Sequence, residues 1–299
     1  MTLIDVPRLP RTADIVLREA FASFDYPSLG GPSERGWSSQ ADFLRCPYRY
    51  QLKHIRHMRP RDMDNKSKNL DIGSYTHAAL AVHYAALLPE GYPGQHPNVP
   101  SADDLFAAVD ARGGSIEALS EARRLFDGYI ENYSQDTFVM PVAVEMPVGD
   151  VHIHTSRLDL VTWVEDGIHN GLWICDHKTA SSHSDFEAWA HDGEILGEMY
   201  SWRLSQLDGT FGAPASGVCI NVLVKTRVPT FQRLWLTFRP EQIDEYAKHQ
   251  AHWRTMVDFY NRSGYWPKSM YGCAAKFGRC RFWQHCCALD DSYLEQVLP

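Results

Sequence analysis

Nothing in the 299-residue sequence approaches the roughly 18 consecutive apolar residues that a membrane-spanning helix needs. The first ten residues carry Asp5 and Arg8 and lack the apolar core of a signal peptide. A cytoplasmic location with no membrane partner is therefore expected. Repeats and low-complexity tracts are absent. So is a Gly-x-x-x-x-Gly-Lys-Ser/Thr motif, which makes any ATP-driven partner a separate chain. Basic charge is in deficit: 29 Lys and Arg face 37 Asp and Glu, for a formal net charge of −8. That balance argues against a broad basic face coating duplex nucleic acid and favours a narrow path with local basic groups.

At 44% hydrophobic and 22% charged residues, the composition is that of an ordinary globular protein. The length suits one large domain or two small ones. Seven cysteines are an odd count, and a disulfide framework is not expected in a cytosolic chain. Cys175 and Cys219 lie in apolar, strand-like runs and read as core residues.

Residues 1–36 hold several Pro and Gly and read as an N-terminal arm. Ser38 or Ser39 then serves as an N-cap for a helix over 40–45, followed by Cys46-Pro47 and more helix. Periodicity predicts helices over 70–88, 102–111 and 115–133, so 37–141 reads as a helical region. Strands dominate from 142. A meander over 142–148, 151–164 and 172–178 precedes a long helix over 184–207. Two strands over 217–225 and 231–238 and a helix over 240–261 complete the pattern. This order predicts an α/β unit around a mixed sheet over 142–299, integrated with the helices into one domain over 37–299.

The most informative stretch is 173–179. It reads as a buried strand ending in Asp176-His177-Lys178-Thr179. Asp176 and Lys178 are two apart and share a face of the strand. Pairing with the preceding strand could bring Asp159 beside Asp176. Two carboxylates and a lysine there suit Mg²⁺ or Mn²⁺ and a phosphate. The same three residues also fit a surface ion pair with Asp159 in a turn. Glu145, on the strand before, is a further acid near this point.

A second constellation is Cys273-x6-Cys280-x5-Cys286, with Cys287 adjacent and Cys46 far upstream. Four thiolates suit an iron–sulfur cluster or a structural zinc. The wide gaps favour iron–sulfur. His285 is a possible stand-in ligand for zinc. Such a group would clip the C-terminal end onto the helix around Cys46.

Together these residues resemble the PD-(D/E)XK nucleases of the RecB type, in the branch that carries a 4Fe–4S cluster. Relatives include the nuclease domains of AddB, CRISPR-associated RecB-like nucleases, exonuclease V and phage recombination exonucleases. The resemblance covers residues 37–287. It rests on Cys46, on Gly73-x-x-x-His77, on Ser156-x-x-Asp159, on Asp176-His177-Lys178-Thr179, and on Cys273, Cys280 and Cys286. Three departures are visible. Ser156 occupies a Gly slot, Glu198 and Trp202 occupy the slots of a Gln-x-x-x-Tyr pair, and a cysteine gap of six replaces a gap of two.

The resemblance implies a restriction-endonuclease-like mixed sheet flanked by helices, with an iron–sulfur C-terminal clip. It implies catalysis by Asp159, Asp176 and Lys178. His77, Asp159, Asp176 and the backbone carbonyl of His177 would hold Mg²⁺ or Mn²⁺. Cys46, Cys273, Cys280 and Cys286 would hold the cluster, with zinc as the alternative. Glu198, Tyr200, Trp202 and Lys225 would contact DNA, single-stranded or with free ends, in recombination or repair beside a separate helicase or recombinase. The competing reading is a non-catalytic nucleic-acid- or partner-binding module stabilised by a metal cluster.

Overall fold

The computed structural model describes residues 35–61, 68–90, 92, 99–111, 113–134, 140–182, 189, 192–205, 207, 212–269, 271–275 and 278–296. All of the predicted N-terminal arm except its last two residues, and the predicted helical residues 184–188, 190–191 and 206, lie outside these.

The centre is a five-stranded sheet in the order β2-β3-β4-β5-β6. Its strands are β2 (Met140–Asp150), β3 (His154–Val164), β4 (Gly171–Ala180), β5 (Ala215–Val224) and β6 (Thr230–Leu236). Neighbours are antiparallel except β4 and β5, which are parallel. The meander of β2, β3 and β4 matches the expectation from sequence. The apolar runs of β4 and β5 place both strands inside the sheet, where both faces are covered.

One face of the sheet packs against α3 (Lys68–Ala86), α4 (Ala102–Ala111) and α5 (Ile116–Asn132). Leu80, Leu125 and Tyr129 meet Leu160, Trp173, Cys175 and Cys219 there. The other face packs against α6 (Gly193–Leu204) and α7 (Pro240–Ser263), where Ile195 and Trp202 meet Leu158, Ile174 and Ile220. Each fully buried Leu or Ile contributes roughly 1.5–3 kcal/mol relative to exposure. Cys175 and Cys219 are core residues, as their surroundings in the sequence suggest.

The first helix differs from expectation. α1 (Trp37–Arg45) starts three residues early behind Gly36, and Ser39 is buried inside it rather than capping it. Beyond Cys46, α2 (Pro47–Tyr50) runs into a π-helical turn over Gln51–Ile55. A short strand, β1 (Met58–Pro60), interrupts the otherwise helical first half. The C-terminal end holds the β7 (Ala274–Ala275) and β8 (Gly278–Arg279) hairpin, α8 (Trp283–Ala288) and β9 (Leu294–Gln296). β9 pairs antiparallel with β1. Around this pairing Leu52, Cys280, Phe282 and Leu294 form one small core, and Phe43, Tyr50, Trp253 and Trp266 another. Among the described residues no helix is long and apolar enough to cross a membrane.

Candidate active site

The ladder between β3 and β4 ends at the pair Leu160–Cys175. Asp159 and Asp176 lie just beyond that last pair, each next to it in sequence. Instead of a ladder bond, the Asp159 carboxylate accepts the backbone N–H of His177 at 2.9 Å. Its Oδ2 also lies 3.4 Å from Nδ1 of His77 on α3. One helical turn before His77, α3 crosses β4 at Gly73. A Cβ there would lie 3.3 Å from the Thr179 hydroxyl, so a glycine lets the helix lie close enough for His77 to reach Asp159. Burial alone would raise the Asp159 pKa. The charges of His77 and His177 and the His177 N–H outweigh it, and hold this carboxyl below its usual range.

Asp176 and Lys178 share the face that packs on α6. The Lys178 ammonium lies 3.0 and 2.9 Å from the two Asp176 oxygens and 2.8 Å from Glu194 Oε2. Asp192 caps α6 by accepting the Glu194 N–H at 3.0 Å, which fixes the helix start that presents Glu194. Glu198, one turn on, is buried. Asp176 is only 5% exposed, which rules out a simple surface ion pair. Burial, reinforced by the charges of Glu194 and Asp159 and only partly offset by Lys178, pushes the Asp176 pKa up to about 8. Burial and the charge of Asp176 raise Glu198 well above its usual value. Burial opposes the charge on Lys178, but Asp176 and Glu194 outweigh it and hold the ammonium well above its ordinary pKa.

Glu198 Oε2 is buried with no hydrogen-bond donor among the described residues, and buried Asp176 Oδ2 has the Lys178 ammonium beside it. Crowded, under-compensated carboxylate oxygens are the donor chemistry of a hard divalent cation. Even so, no three His, Cys, Asp or Glu side chains among the described residues converge closely enough to hold an ion. Asp159 is drawn to His77 on one side, while Asp176 is drawn to Lys178 on the other. Glu145 sits at φ 51° and ion-pairs with Arg157 at 2.8 Å, so it joins neither group.

His177 points to the opposite face from its neighbours in sequence. Its ring stacks on Tyr84 at 5.9 Å between centroids. Nδ1 accepts from Asn221 Nδ2 at 2.9 Å, which leaves the ring proton on Nε2. Asn221 also donates to the Tyr129 hydroxyl at 3.0 Å, and that hydroxyl is 2.6 Å from Tyr84 and 3.2 Å from Arg233. Burial is the main reason the His177 pKa falls to about 3. Neither Asn221 nor Glu194 was apparent from the motifs. A lone Asn inside the apolar run 218–224 was the available signal for the first.

The residues expected to contact DNA separate. Trp202 is 1% exposed and Tyr200 6%, both inside the core under α6. A base cannot reach the Trp202 ring in this packing, which corrects the stacking role expected for it. Glu198 faces the Asp176–Lys178 cluster. Lys225 lies at the exposed end of β5 and donates to Asn69 at 3.1 Å.

The C-terminal end docks on the Cys46 region. The Cys46 sulfur accepts the Ser269 N–H at 3.4 Å, and the Cys273 thiol donates to the Ser269 carbonyl at 3.5 Å. Cys280 N–H donates to the Cys273 carbonyl at 2.9 Å. All seven cysteines are free thiols. Burial pushes the Cys286 thiol up to about 11. Lys268 opposes this, and Cys280, Cys46 and Cys273 add to it. These four sulfurs are thus electrostatic neighbours, while Cys287 is exposed. They do not converge on a common metal position. His285 is engaged at both nitrogens, by Tyr48 at 2.9 Å and the Asp290 carbonyl at 3.1 Å, so it is no stand-in ligand.

A mixed sheet with helices on both faces, and an acid on one strand opposite an acid-x-lysine pair on the next, defines an α/β core of the restriction-endonuclease class. The chain belongs to the PD-(D/E)XK nuclease superfamily, whose family model matches residues 37–287. A similar solved structure is a "Putative exonuclease" from Eubacterium rectale. The two share 15% identity at a TM-score of 0.50, over 86% of this chain and 87% of that one, and so share a fold. No curated protein matches the chain.

Proposed function

We propose that the chain is a metal-dependent deoxyribonuclease of the RecB type. It hydrolyses phosphodiester bonds, as an exonuclease on single-stranded DNA or DNA ends, in recombination or repair beside a separate helicase or recombinase. Residues 37–299 act as one integrated unit. The observation that carries this reading is the Asp159 carboxylate bound to the His177 N–H, inside the Asp176-His177-Lys178 segment whose Lys178 is bound to Asp176.

Members of this superfamily typically use Mg²⁺ or Mn²⁺. In this reading Asp159, Asp176, His77 and the His177 carbonyl would hold the ion, which would supply charge stabilisation at the scissile phosphate and make the attacking water more acidic. Asp159 fixes the His177 peptide through its N–H, and the Asn221 contact fixes the His177 ring on the far side. Flanked by Asp176 and Glu194, Lys178 keeps its proton. Its part is therefore to donate hydrogen bonds to the attacking water and the phosphate and to offset their charge, rather than to act as a base. Cys46, Cys273, Cys280 and Cys286 are the proposed ligands of a 4Fe–4S cluster, with zinc as the alternative. The neighbouring thiols and the docking of Ser269 on Cys46 support that reading. Iron, sulfide and zinc analysis of anaerobically purified protein, with Cys280→Ser as comparison, decides between them.

The test of function is cleavage of end-labelled single-stranded DNA with Mn²⁺ or Mg²⁺, against Asp176→Ala. Metal-dependent cleavage absent from the variant is expected. Intact protein that binds DNA but cleaves no strand form would instead indicate a binding module.

A further inference from the structure

We infer that the cysteine-bearing lobe carries a second nucleic-acid contact surface, which grips the phosphodiester backbone apart from the cleavage site. The inference rests on the nuclease reading above and adds a binding surface to it.

The chain's negative balance conceals a strong segregation of charge. From residue 264 to residue 289 there are four lysines and arginines and no Asp or Glu. Residues 35–61, which dock against that segment, hold seven lysines and arginines and one aspartate. Many of the N-terminal cations are committed internally. Arg49, Lys53 and His54 surround the buried Asp42, and Arg45 donates to the Gly272 carbonyl at 3.0 Å. The C-terminal cations are not. Lys268, Arg279 and Arg281 are exposed, and none of the three has a carboxylate partner among the described residues. Asp291 and Glu295, the acids that follow, pair instead with Arg56 and Arg59.

Aromatic rings brace two of these cations. The Lys268 ammonium lies 4.8 Å from the Tyr48 ring centroid, and the Arg279 guanidinium 5.3 Å from that of Trp283. Tyr48 is held in turn by its N–H to the Pro267 carbonyl at 3.1 Å and by its hydroxyl at His285. Tyr265 stands 69% exposed beside them, after the left-handed Gly264 that ends α7. Braced, unpaired cations beside an exposed ring fit a polyanion with stackable bases. A strand held at a separate basic surface can be presented to the cleavage site.

The experiment measures the affinity of labelled single-stranded DNA, without divalent metal, across a salt series. It compares the wild-type chain, the triple variant Lys268→Gln/Arg279→Gln/Arg281→Gln, and the charge-matched control Arg123→Gln/Arg227→Gln/Lys248→Gln. All six positions are exposed. Each lost phosphate contact removes about 0.7 from the log–log salt slope. The triple variant is therefore expected to lose about 2 from that slope, while the control keeps it. Cleavage of a dinucleotide, too short to reach the lobe, should stay within about twofold of wild type in the triple variant. An unchanged slope, an equal loss in the control, or a parallel loss of dinucleotide cleavage would each overturn the inference. A wild-type chain that binds DNA but never cleaves defeats the nuclease reading and leaves the binding result to stand by itself.

Discussion

At the scale of single residues, the site is a competition for one ammonium. Asp176 and Glu194 both hold Lys178, and only Asp176 is proposed to turn to a metal ion. Glu194 is then the partner that keeps Lys178 in place. Glu194→Gln should lower the turnover number about 10–10²-fold with DNA affinity unchanged, as single-turnover kinetics beside a binding titration would show. Lys178→Ala should go further and lose about 10²–10³-fold or more, with an unaltered melting curve. Retained cleavage in that variant would sink the mechanism. His154 bears on stability. It is fully buried beside Tyr200 and Tyr246, and burial lowers its pKa to about 4. The unfolded chain takes up this proton near pH 6.5 and the folded chain only near pH 4, so stability falls as pH drops through that window. The loss is on the order of 3 kcal/mol. Urea midpoints at pH 7 and pH 5 should differ less in His154→Gln than in the wild type; an equal drop would refute the assignment.

At the scale of elements, the sheet was largely legible. The meander, the two later strands and the long helices beside them follow from apolar period and turn residues, while the parallel pairing of β4 with β5 does not. The Asp176–Lys178 contact was legible too, since residues two apart on a strand share a face. Glu194 was not, because its place depends on where α6 begins. β1 and β9 were not, because three-residue strands carry no periodicity. Trp202 misled, because an aromatic lining a groove and one filling a core look alike along a helix. Gly217 shows how tightly β5 and β6 join: a Cβ there would lie 2.0 Å from the Leu236 carbonyl oxygen. Gly217→Ala is expected to cost about 1–3 kcal/mol or more, read as a lower denaturant midpoint. A midpoint equal to wild type would mean that the strand end shifts freely.

At the scale of the whole molecule, the two ends of the described chain stabilise each other. Trp266 stacks near Tyr50 at 5.8 Å and packs edge-on against Phe43, joining the segment after α7 to α1 and α2. Trp266→Ala should cost roughly 3–5 kcal/mol and free both ends together, visible as matched loss of hydrogen-exchange protection in 37–55 and 266–296. Loss confined to one end would show that they fold separately.

The alternation of faces along Asp176-His177-Lys178 has a further consequence. The peptide between the two proposed catalytic side chains is clamped from above by the Asn221–Tyr129–Tyr84 network and from below by α6. Loosening either layer tilts the same peptide plane. Turnover is therefore a sensor for both halves of the interior, and on gentle warming it should fade before circular dichroism records any unfolding.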